Sequence, residues 1–98
     1  SNIRIEGHIS NIDQLRETLV QSVLLHKIIR IKGRCWLEDK DLPLQIQMVG
    51  PRFNSWYEAA PVDSWRPTKS GVELVVIGFD DSLSDAVSKA LVQLISST

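Results

Sequence analysis

Three side chains of this 98-residue chain are the thiol or imidazole ligands that zinc favours: His8, His26 and Cys35. A zinc site takes three or four such ligands converging on one ion. His8 closes an alternating stretch, Ile3–Ile9, whereas His26 ends a helical stretch just before Lys27–Leu37 begins. In a parallel β-α-β crossover those points lie at opposite ends of the sheet, a helix of about 20 Å apart at 1.5 Å per residue. One molecule therefore brings no ion to both, and His8 is left with metal only across an oligomer contact. His26 suits the last turn of a helix, where the dipole favours a cation. Cys35 falls on the apolar parity of its stretch, which implies a buried, inert thiol. No metal or cofactor site is expected.

Hydroxyl and carboxylate chemistry fares no better. Ser10 and Ser82 each stand three residues before an Asp, in the spacing of a helix capping box, and no strained nucleophile turn is present. The pairs Asp39 with Asp41 and Asp80 with Asp81 sit in turn-like segments, where solvated carboxylates are ordinary. A Gly-rich loop ending in Gly-Lys-Ser/Thr, which cradles nucleotide phosphates, is missing from the 98 residues. Catalysis is thus not expected of this chain. What remains is binding chemistry, and it is concentrated in Lys27–Leu37.

Read with period two, that stretch places Ile29, Ile31, Gly33, Cys35 and Leu37 on one side. Ile28, Arg30, Lys32, Arg34 and Trp36 fall on the other. The first side predicts core. The second is either a contact surface or a solvated face whose Arg and Lys stems cover the ring. Trp36 and Trp56 either meet across strands or anchor a partner, since Trp and Arg dominate interface hot spots. Trp65, in a loop with two prolines, reads as a structural plug.

The elements that would position these residues follow from pattern. Ile3–Ile9 is a short strand, and a helix from Ser10 carries Ile12, Leu15, Leu19, Val20 and Val23 in one stripe to about Leu25. After the cationic strand, Leu44–Met48 and Phe53–Ala59 are further strands split by the Gly50-Pro51 turn. Val72–Phe79 is apolar on both parities, the mark of a central strand covered twice. Leu83, Ala86, Val87, Ala90, Leu91 and Leu94 give a last amphipathic helix. The order β-α-β-β-β-β-α predicts a two-layer α+β sandwich. Its sheet is mostly antiparallel, with both helices on one face, a ferredoxin-like variant. The other face stays open with Arg30, Lys32, Arg34 and Trp36, and with Val75 and Ile77 if that side of their strand looks outward. Pattern leaves undecided whether Trp56 or Tyr57 joins them.

Composition sets the outer bounds. Residues 1–98 form one domain, and Ser1-Asn2 is compatible with a tag scar. A charge of -1 and the lack of any membrane-length apolar run disfavour nucleic acid and exclude a membrane helix. One cysteine and no visible signal peptide imply a cytoplasmic setting. An RNA-recognition strand is partly echoed at Lys32–Leu37. Arg34 and Cys35 break that motif, however, and the final strand of that fold is lacking.

RIKGRCWLED, Gly50-Pro51-Arg52-Phe53, Trp65 and Glu73-Leu74-Val75-Val76-Ile77-Gly78 resemble, in order and spacing, motifs of the CobW C-terminal domain. The resemblance runs from about Ile3 to Ile95. Arg34 and Cys35 depart from it, as does Gly71-Val72. It implies an accessory domain of a GTP-dependent metallochaperone concerned with cobalt or zinc and cobalamin-related metabolism. The partners it implies are an upstream GTPase domain of the same protein, a metal-receiving client, or another copy. The partner-binding residues expected are Arg30, Lys32, Arg34, Trp36 and Trp56. A stand-alone self-associating module is the alternative, and an RNA-binding open sheet the less favoured one.

Overall fold

The structure, a computed structural model, describes residues 2–9, 11–78 and 82–96. Its elements are β1 (Asn2–Glu6), α1 (Ile12–His26), β2 (Ile28–Trp36), β3 (Leu44–Val49), β4 (Arg52–Tyr57), β5 (Gly71–Gly78) and α2 (Leu83–Ser96). The strands form one sheet in the order β1-β5-β2-β3-β4, and each adjacent pair is antiparallel. Because β1 and β2 both run against β5, they are parallel to each other with β5 between them. The α1 crossover thus steps over the strand made last, and the two-layer α+β sandwich expected from pattern is what forms.

Local chemistry starts and stops the helices. The expected cap at Ser10 lies outside the described residues. Asn11 is the residue seen to cap α1, its side-chain oxygen accepting from the amides of Asp13 at 2.8 Å and Gln14 at 3.3 Å. Asp13 in the first turn and His26 in the last both suit the dipole. Lys27 closes the helix in the left-handed region, φ 54°. At α2, Asp85 and Ala86 donate to the carbonyl of Ser82, which starts the helix where the second capping spacing placed it.

One core lies between the layers. Leu15, Leu19 and Val23 from α1 and Val87 and Leu91 from α2 meet the sheet residues Ile31, Ile46, Met48 and Leu74, all buried. Each such side chain stabilises the fold by about 1.5–3 kcal/mol relative to exposure. Three strand expectations need correction. First, the pairing of β2 with β5 shifts between Ile28 and Arg30, a bulge at Ile29. Ile28 is therefore the buried residue at 3% exposure, and Ile29 the exposed one at 44%, the reverse of simple alternation. Second, β1 and β4 stop short, at Glu6 and Tyr57 rather than at Ile9 and Ala59. Third, β5 is central in the sheet but covered on one face only: Val72, Leu74 and Val76 are buried, while Val75 and Ile77 are 37% and 49% exposed. Phe79 lies outside the described residues. No described helix is long and apolar enough to cross a membrane.

Candidate functional site: the open sheet face

Antiparallel partners share a face, so the registers map the side of the sheet away from the helices. One row runs Arg4, Glu73, Arg34, Gln45, Trp56 across all five strands. The next runs Asn2, Val75, Lys32, Gln47, Asn54, and a third Ile77, Arg30, Val49, Arg52. The undecided parity of β4 is thereby fixed: Trp56 joins the open face, and Tyr57 pairs with Leu44 on the helix side. All five sequence-predicted site residues, Arg30, Lys32, Arg34, Trp36 and Trp56, project from this face.

They do not form one cluster. Trp36 does not meet Trp56; half-buried, it packs edge-on against Trp65, with ring centroids 5.7 Å apart and planes at 80°. Such a pair contributes about 0.5–1.5 kcal/mol beyond its burial. The cross-strand pairing of Trp36 with Trp56 is therefore corrected, because Trp56 lies two strands away and donates its indole N–H to Glu58 Oε1 at 2.7 Å. The Trp36 indole N–H is buried and has no acceptor among the described residues. Trp65 belongs to residues 58–70, which fold over this end of the sheet and are tied down at several points. Gly7 N donates to Ser70 O, Ser70 Oγ donates to Gly7 O, and Gln45 Nε2 donates to Glu58 O at 2.9 Å. Thr68 N donates to the Glu6 carboxylate, and these hydrogen bonds hold the Glu6 carboxyl below its ordinary 4.5.

Arg34 is more structural than its spacing suggested. Glu73, largely buried on β5, takes Arg4 Nε at 2.8 Å on one oxygen and Arg34 Nη1 at 3.6 Å on the other. Sequence reasoning missed Glu73, although an acid interrupting the run Val72–Ile77 opposite a cationic strand is the signal that finds it. It also missed Arg4, Arg52 and Val49, each of which reads as an ordinary surface residue until the register is known. Beside this clamp lies a depression of about 270 Å³ lined by Lys32, Gly33, Arg34, Gln45, Glu73 and Val75. A side chain at Gly33 would fall on the carbonyl of Glu73, so only glycine permits β2 and β5 to run this close.

The soft and imidazole ligands stay apart. His8 lies 4.0 Å from the Glu38 carboxylate beyond the ends of β1 and β2, and His26 sits at the opposite end, where α1 leads into β2. Among the described residues no three His, Cys, Asp or Glu side chains gather as a metal set. Cys35 is buried in the core, and desolvation pushes its thiol up to about 12.

Comparison with known proteins places the chain among relatives. Residues 4–95 match the family model of the cobalamin synthesis protein cobW C-terminal domain. A zinc chaperone CobW from a Sinorhizobium species is 34% identical over 85 residues, covering 86% of this chain and 22% of that protein. The chain therefore spans less than a quarter of that relative. Two structures share the fold: a zinc-bound triple mutant of the YjiA GTPase (TM-score 0.67, 20% identity) and zinc-bound YjiA GTPase from E. coli (TM-score 0.63, 16% identity). Each covers 96% of this chain and is itself covered to 29%.

Proposed function

This chain belongs to the CobW C-terminal domain family, and on that premise we propose that it is the non-catalytic accessory domain of a GTP-dependent metallochaperone working in the cytoplasm. Zinc is the favoured cargo, in line with the Sinorhizobium relative, which is a zinc chaperone; cobalt and cobalamin-related metabolism are the family alternative. The domain's work is docking. Its open face is the surface on which the GTPase domain of the same protein or a metal-receiving client sits, and nucleotide state next door alters which of them covers it.

One observation carries this reading. Val75 and Ile77 stand exposed in the second strand of the sheet, beside Lys32 and Arg30, on the face the helices leave bare. Aliphatic side chains in a central strand are ordinarily covered, and a mixed apolar and cationic face is a contact surface. The test is charge reversal, Arg30→Glu with Lys32→Glu, in the protein carrying its GTPase domain. Both residues are exposed, so the fold is expected to persist while GTPase-domain or client binding weakens at least tenfold. Unchanged binding to both would remove the proposal.

Self-association through the same face is the weaker reading. A two-fold contact would press the same cationic face, with Arg30, Lys32 and Arg52, against its copy, a like-charge arrangement that costs stability. Sedimentation of the chain at high concentration separates the two, since a stable dimer there favours the second.

A further inference from the structure

The charges on the open face are not balanced. Arg4, Arg30, Lys32, Arg34 and Arg52 share it with a single strand carboxylate beyond the tethered end, Glu73, which Arg4 and Arg34 already occupy. Nearly half of the chain's eleven cations thus stand on one face with three of its twelve acids, Glu73 and, at the tethered end, Glu6 and Glu58, which Thr68 and Trp56 engage; the remainder of the chain is acidic. Within this field lies the depression beside Lys32 and Arg34, and the Nε of Arg34 is buried there without an acceptor among the described residues. Arg34 thus shares the Glu73 carboxylate with Arg4 and keeps one donor unmatched, and a carboxylate is the acceptor that matches a guanidinium best. Val75 neighbours Lys32 beside it, and in the next row Ile77, Arg30, Val49 and Arg52 alternate aliphatic and cationic positions across four strands.

Resting on the docking reading above, we propose that this face receives an acidic segment of a partner protein in which Asp or Glu alternates with aliphatic residues. One carboxylate seats between Lys32 and Arg34, and an aliphatic side chain covers Val75 and Ile77. RNA is the poorer occupant because the aromatics that would stack bases are committed elsewhere. Trp36 is packed on Trp65, Trp56 is bonded to Glu58, and the groups among the cations are aliphatic. Backbone pairing is not required, since the seat lies on the face and not along an edge strand.

The test is an NMR titration of the 98-residue chain, which has its own core, with a heptapeptide alternating Glu or Asp with Leu. A peptide with Lys in place of the acids and an oligouridine serve as the other probes. The acidic peptide is expected to shift the amides of Lys32, Val75 and Ile77, to weaken with added salt, and to lose roughly tenfold or more in affinity with Arg30→Glu and Lys32→Glu. An unchanged amide spectrum elsewhere shows that the variant is folded. Equal binding of the Lys peptide, preferred binding of oligouridine, shifts on the helix face, or indifference to the double variant each overturns the proposal. If the acidic peptide fails while charge reversal still releases the GTPase domain or client, the partner chemistry is wrong and the docking surface stands. If charge reversal releases neither, the docking reading falls with it.

Discussion

Cys35 and Glu6 show how far a single side chain is set by its neighbours. Cys35 has the parity of Ile31 and Leu37, and that alone announced a buried thiol; burial in turn holds it protonated, with its pKa at about 12. The native chain is accordingly expected to resist an aromatic disulfide reagent at pH 8 and to react fully once denatured. Rapid native modification would show that the core opens. Glu6 offered no comparable signal, because its partner, the Thr68 amide, is 62 residues away. Its folded pKa is lowered from 4.5, so its contribution is present above 4.5 and disappears as pH falls through the folded value. The Thr68 amide resonance should therefore titrate with a midpoint below 4.5, and Glu6→Gln should abolish that titration. Glu73 and Arg34 were hidden for the same reason: a cross-strand ion pair is visible only once the register is known.

At the scale of elements, period and punctuation carried most of the information. The strand and helix order was legible because each segment keeps one period and is bounded by a turn or a capping spacing, as at Gly50-Pro51 or Ser82. The joint between α1 and β2 was not. Ile28 and Ile29 are chemically identical neighbours, so hydrophobic pattern contains nothing that says which goes inward; the bulge decides it. The same joint contains Lys27 at φ 54°, a left-handed conformation that costs an L-residue about 1–2 kcal/mol and glycine much less. Lys27→Gly is predicted to stabilise the chain by about 0.5–1 kcal/mol, after the entropy cost of glycine is subtracted. Urea denaturation measures this, and a destabilised variant would mean that the Lys27 stem contributes packing.

For the whole molecule, the decisive division is between a face that holds the fold together and a face that does not. Val75 and Ile77 belong to the second, and β5 looked doubly covered from sequence because apolar residues on an open face read the same as core. Replacing both with Thr, which keeps the β-branch, is predicted to change unfolding free energy by no more than about 1 kcal/mol. Replacing the inward pair Val72 and Leu74 with Ala should cost several times as much. Parallel chemical denaturation of the two double variants compares them, and equal losses would place the open face inside the cooperative core. The fold over Trp36 was equally unreadable in advance, since nothing in the spacing of Trp36 and Trp65 says that they touch.

The tether of residues 58–70 across one end of the sheet has a consequence for lifetime. It leaves three rows uncovered, two across five strands and one across four, a flat patch of roughly 450 Å² at about 4.8 Å between strands and about 6.8 Å between same-face residues. Long-lived protein pairs cover roughly 800 Å² on each partner. A patch this small holds a free partner only briefly, and gains occupancy chiefly when a covalent linker keeps the partner at high local concentration. On the docking reading, a surface of that size suits contacts that are made and released many times.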